Sequence, residues 1–140
     1  MATRDAKENP DSPGCLRTSY NILAANTVEG GKMVAVLTSS TDLRAASDAA
    51  NLLVKGIIPS GEGTFTATDD TSAPVLSGIA AWMDNDATNP VTALDKCYVK
   101  NAYTVCAVAG ATHNAIAGTA IKIDATMGVL VFFRYGGERS

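Results

Sequence analysis

The side chains in this chain that could do chemistry are few and scattered. His113 is the only histidine. A Ser-His-Asp or Cys-His mechanism would have to run through it, because no other side chain here titrates near neutrality without a large shift. It sits beside Asn114 in an Ala/Gly-rich stretch, and nothing in the sequence gives it a nucleophile elbow or an activated cysteine. The segment Asp84-Asn-Asp-Ala-Thr-Asn89 places oxygen side chains at alternate positions, as a calcium loop opens. However, Pro90 follows, no glycine makes the sharp turn, and Asp95 stands where a bidentate Glu is wanted, so the segment reads as an Asx-rich turn. Asp69-Asp70 reads the same way. Gly30-Gly-Lys32 and Gly61-Glu-Gly63 lack the spacing and the following helix of a phosphate loop, and both are expected to be turns. Cys15, Cys97 and Cys106 are odd in number and have none of the spacings of a zinc site. No catalytic residue, cofactor or metal is expected, and the chain is not expected to be an enzyme.

The elements that would position such groups belong to an ordinary folded chain. Its 140 residues suffice for one domain with a real core. Hydrophobic residues make up 46% and charged residues 18%, a balance that excludes a disordered chain. A net charge of -3 gives no electrostatic reason to bind nucleic acid, and at 6% aromatics there is no stacking platform for single strands. No apolar stretch approaches the ~20 residues that cross a bilayer. The opening residues lack the apolar core of a secretory signal, so no membrane association and synthesis in a cytoplasm are expected.

Along the chain, residues 1–17 combine Pro10, Pro13 and Gly14 with alternating charge and have little to bury, which describes an N-terminal arm: either a loose terminus or an extension that orders on a partner. Residues 18–136 form the single domain, and 137–140 a tail. From Ser19 the chain becomes strand-like, with Gly30-Gly31 as a reversal before a strand from Lys32. Thr41–Ala50 is alanine-rich with Thr41 as an N-cap, and predicts a helix of one or two turns. Leu52–Ile58 is a compact apolar run that predicts a buried strand, with Gly56 at a bulge or close backbone approach. Thr64–Thr68 and Val75–Met83 are further strands, the latter holding Trp82. Trp82, Phe132 and Phe133 are expected in the core.

Two strands follow around Asn101-Ala102. A two-residue turn there pairs Lys100 with Tyr103 and, further along, Cys97 with Cys106. These two cysteines would then form a cross-strand thiol pair, either oxidised or as two buried thiols. Gly118–Asp124 alternates, with Thr119, Ile121 and Ile123 expected inward, and Ala125–Gly128 turns the chain into a last strand. Short strands at this spacing predict an all-β fold, a small antiparallel barrel or sandwich.

The order of these segments, Gly78-Ile-Ala-Ala-Trp-Met-Asp84, Asp95-Lys-Cys-Tyr-Val99, Tyr103-Thr-Val105, Ile116-Ala-Gly-Thr-Ala-Ile-Lys-Ile-Asp124 and Gly128-Val-Leu-Val131, resembles a family of small tailed-bacteriophage head proteins, the capsid decoration or cement type. The similarity covers about residues 31 to 135. Gly56, Trp82, Cys97, Tyr98, Val99, Thr104, Val105, Ala117, Gly118, Asp124, Gly128 and Val129 fall at the matched positions. Family members often carry Asp or Asn pairs in the central hairpin turn, and Lys100-Asn-Ala-Tyr103 departs from that. The resemblance implies a β-barrel, often a homotrimer, that stabilises the head by binding the outside of the major capsid protein lattice, so that its location is the virion surface. It also implies a terminal arm along the capsid, which by analogy would use Arg4, Lys7, Pro10, Pro13, Leu16 and Arg17. A head fibre base, a tail tube or a tail-completion subunit is the alternative structural role.

Overall fold

The computed structural model describes residues 15–134 apart from 50, 69–70 and 108–114. The described residues hold twelve strands and no helix: β1 (Leu16–Asn21), β2 (Thr27–Glu29), β3 (Met33–Leu37), β4 (Leu43–Ala45), β5 (Leu52–Ile57), β6 (Thr64–Thr66), β7 (Ser72–Ser77), β8 (Ile79–Asn85), β9 (Lys96–Asn101), β10 (Thr104–Cys106), β11 (Ile116–Asp124) and β12 (Gly128–Phe133). The all-β expectation holds, in a form more divided than the sequence suggests.

β8–β12 close into a five-stranded barrel in the order β10-β8-β12-β11-β9. Every pairing around it is antiparallel except β10 with β8, where Thr104 lies opposite Asp84. The other large sheet runs β1-β7-β5-β3-β4. Its two outer strands approach each other at one end, where Ile22 bridges Leu43 in parallel and the Leu23 N–H donates to the Leu43 carbonyl at 2.8 Å. β2 and β6 form a separate two-stranded ribbon.

Two cores explain the apolar runs. Val34, Val36, Leu53, Val75 and Leu43 face one side of the five-stranded sheet, with Ile22 and Val28. Met33, Ala35, Leu52, Val54 and Leu76 face the other, and there join the barrel interior of Ile79, Ala81, Met83, Val99, Val105, Val129, Val131 and Phe133. A sheet buried on both faces needs apolar residues at consecutive positions, so Met33-Val-Ala-Val36 and Leu52-Leu-Val54 do not alternate.

Glycines mark where backbones meet. Gly56 has φ +146°, and a Cβ there would overlap the Leu76 carbonyl. Val34 pairs with Gly56 and Ala35 with Val54, leaving Lys55 as the extra residue of a bulge. The expected buried strand and its Gly56 irregularity are therefore present. Gly78, with φ +68°, does something the sequence did not announce. The single strand expected over Val75–Met83 is divided there, β7 staying in the five-stranded sheet and β8 entering the barrel.

Three further expectations are corrected. The helix over 41–50 is absent from the described residues: Leu43–Ala45 is an edge strand whose Leu43 is fully buried opposite Val36. Helix propensity differs by only a few tenths of a kcal/mol per residue, whereas burying a leucine contributes about 1.5–3 kcal/mol, so packing decides. In β11, Ala120 points into the core and Ile121 is exposed, because Ala120 pairs with Val131 and Lys122 with Leu130, and the bulge between them sends Ile121 outward. Thr119 is on the outward side too, while Ile123 packs inward as expected. Finally, Phe133 is core, but Trp82 and Phe132 are only partly buried, at positions between the inward residues of β8 and β12.

Candidate functional site

The Asx-rich segment after β8 is built as a turn. Asn85 clamps the returning chain with both ends of its amide: its Oδ1 accepts from the Val91 N–H at 2.7 Å and its Nδ2 donates to the Val91 carbonyl at 3.1 Å. Asp86 Oδ2 accepts from the Asn89 N–H at 3.1 Å. These side chains close their own loop, which is the alternative to a calcium loop that the sequence favoured. Among the described residues no group of three or more His, Cys, Asp or Glu side chains is placed to hold a metal ion. Asp69, Asp70 and His113 lie outside the described residues.

The two glycine motifs come together in space. The Gly30 N–H donates to the Gly63 carbonyl at 2.7 Å and the Gly31 N–H to the Ile58 carbonyl at 2.8 Å, and each motif is a turn, as expected, closed by Lys32 N–H to the Glu29 carbonyl at 3.2 Å and by Glu62 N–H to the Pro59 carbonyl at 3.3 Å. Gly61 and Gly63 take φ near +80°. Glu29, Gly30, Gly61, Gly63 and Thr64 line an open cleft of about 240 Å³. It carries an acidic residue and no cation: Lys32 Nζ turns to Glu29, and Arg17 pairs with Glu62 at 2.6 Å. A phosphate has no electrostatic reason to stay there.

At the far end of the barrel, Asp84, Asn85, Ile123, Asp124, Thr126 and Gly128 surround another open cleft of about 240 Å³. Asp124 Oδ1 accepts from the N–H groups of Met127 and Thr126, both at 2.8 Å. These bonds, the Met127 one foremost, hold its carboxyl below the usual carboxylate range, with Lys122 adding a little. The role is local: the carboxylate caps the β11–β12 turn that Gly128 completes.

The cysteine pair is not formed as the hairpin reading requires. The turn falls at Ala102-Tyr103, so Thr104 lies opposite Asn101; a bulge follows, and Cys106 lies opposite Tyr98. Cys97 pairs across its other edge with Gly118 and is in the barrel interior, whereas Cys106 shares the outward face of Tyr98. Their Sγ atoms contact different carbonyls, Gly118 and Tyr98, each at 3.6 Å. Both are buried thiols, and Cys15 is an exposed one.

Of the arm residues, Arg4, Lys7, Pro10 and Pro13 lie outside the described residues. Leu16 and Arg17 do not belong to an arm: they begin β1, opposite Ser77 and Leu76. Two exposed aliphatic side chains were not foreseen as such, Leu94 because the sequence reading passed it over and Ile121 because that reading placed it inward. Leu94 and Ile121 flank one backbone bond, Ala120 N–H to the Asp95 carbonyl at 2.9 Å, on the outside of the barrel. The signal that could have marked Ile121 was the bulge, which no local pattern announces. Among the described residues no helix is long and apolar enough to cross a membrane. Scans of protein-family models, curated proteins and solved structures find no match to the chain.

Proposed function

We propose that this chain is a structural virion protein without enzymatic activity, one that decorates and stabilises a tailed-phage capsid by binding the outside of the major capsid protein lattice. The observation that carries the reading is the ordered series from Gly78 to Phe133, whose segments become the five strands of one closed barrel. Several of the matched residues hold the barrel together. Val99, Val105 and Val129 fill its interior, and a Cβ on Gly118 or Gly128 would overlap the carbonyls of Phe132 and Met83. The two clefts described above are open rather than enclosed, which suits contact between surfaces. Decoration suits that shape, because symmetric copies multiply a modest single contact into a stable coat.

Mixing the purified chain with expanded, undecorated heads tests the reading. Saturable binding at micromolar concentration, with heads that resist heat better once coated, is the expected result. No binding at that concentration overturns it, and rings or tubes formed by the protein alone would move it to a tail role.

A further inference from the structure

The bulge in β11 gives the barrel an apolar outer corner. Leu94 is 65% exposed, the most of any large apolar side chain among the described residues, and Ile121 is 44% exposed. Both stand on one stretch of wall, because the Ala120 N–H donates to the Asp95 carbonyl and so ties the residue after Leu94 to the residue before Ile121. Ile121 and Lys122 together face Leu130 across the bulge, and half-buried Phe132 stands on the same outer side of β12. Single apolar side chains on a surface are ordinary, whereas two in register beside a half-buried aromatic ring form a patch.

The charges around the pair select its occupant. Asp95 follows Leu94 and Lys122 follows Ile121, and both are exposed. The β9 side of the corner thus carries a leucine with a carboxylate, and the β11 side an isoleucine with an ammonium. The next charges along each side, Lys96 and Asp124, are again of opposite sign. Laid like on like, the sides would set Asp95 against Asp95 and Lys122 against Lys122; laid unlike, every charge meets its opposite. A surface whose two halves fit each other is satisfied by further copies of itself, joined head to tail.

We propose that this corner is the contact between copies of the chain in a three-fold ring. Leu94 of one copy packs on Ile121 of the next, and Asp95 comes within side-chain reach of Lys122 of the next. Six aliphatic side chains then close around the axis. The assignment deepens the capsid reading and rests on it for the number of copies, and the curvature of the wall agrees. Neighbouring strands of a closed five-stranded barrel point about 72° apart. The two neighbours of a subunit lie about 60° apart in a three-fold ring and about 90° apart in a four-fold one.

The test uses the full chain without heads. Sedimentation over about a hundredfold range of concentration should show a monomer–trimer equilibrium. Ile121→Asp should weaken the trimer about a hundredfold or more, and should leave the melting temperature of the dilute chain unchanged, because that side chain is exposed in the monomer. Asp95→Lys should also weaken it, and adding Lys122→Asp to the same chain should restore it. In a Cys15→Ser background, chains carrying Leu94→Cys and chains carrying Ile121→Cys should cross-link to each other when mixed and mildly oxidised. A chain that stays monomeric throughout, a dimer, or a trimer indifferent to Ile121→Asp overturns the proposal. Head binding is scored apart. Heads coated by a chain that forms no trimer through this corner overturn the proposal and leave the capsid reading standing, whereas trimers that ignore heads overturn that reading and leave the corner assigned.

Discussion

Gly128 lies directly against the carbonyl of Met83, so close that a side chain on residue 128 would overlap that oxygen, and its φ of +100° is one that other residues rarely adopt. β12 begins at this glycine and runs antiparallel to β8, so the contact sets where the barrel's central pair starts. Gly128→Ala should cost about 3 kcal/mol or more, or prevent folding, since both the backbone conformation and the contact must give way. Gly61 has φ +83° with open space around it, and Gly61→Ala should cost only about 1 kcal/mol. Urea unfolding of the two variants separates overlap from conformation; equal losses would show that the Met83 contact contributes nothing.

The thiols should behave as three separate groups. Because Cys97 faces the barrel interior and Cys106 the other side of the hairpin, mild oxidation should leave no Cys97–Cys106 bond, and a maleimide should label Cys15 long before either. Peptide mapping after alkylation reads both outcomes, and a Cys97–Cys106 disulfide in the folded protein would contradict the bulge at Thr104.

Asn85 holds the β8–β9 connection by two bonds to one residue, Val91, which is itself buried. Asn85→Ala should destabilise the protein by about 1–2 kcal/mol, and Asn85→Asp should recover only the bond that Oδ1 accepts. Paired denaturation curves of the two variants check the order.

Asp124 gives stability a pH dependence with a definite sign. Its folded-state acidity is raised by the Met127 and Thr126 N–H groups, so its contribution is complete above the ordinary value of 3.8 and is lost as pH falls through the lower folded value. Asp124→Ala should therefore be less stable than the parent at pH 7, and the gap should narrow in acid below that range. A gap that is constant with pH would mean the turn is held by something other than the carboxylate.

For the capsid reading, deletion of residues 2–13 should weaken binding to undecorated heads by about tenfold or more while leaving the thermal melt nearly unchanged. The deletion stops short of Leu16 because that residue already pairs with Ser77. A large fall in melting temperature would place the segment in the fold instead.

The sequence by itself determined the class of fold and much of its punctuation. Short apolar runs separated by Gly and Asn are local facts, and so are the Asx turn at Asp86, the irregularity at Gly56 and the turn before Gly128. Only the tertiary structure decided which way side chains face. Ala120 and Ile121 exchanged their expected sides, and Cys106 left the face of Cys97, because in a strand one inserted residue inverts every position beyond it. Whether a residue is inserted depends on the partner strand, which lies far away in the chain. Gly78 divided one apolar run between two sheets, and burial made a strand of Leu43–Ala45 against its helical composition, for the same reason: both outcomes belong to the neighbours these residues meet on folding, and no window of sequence contains them.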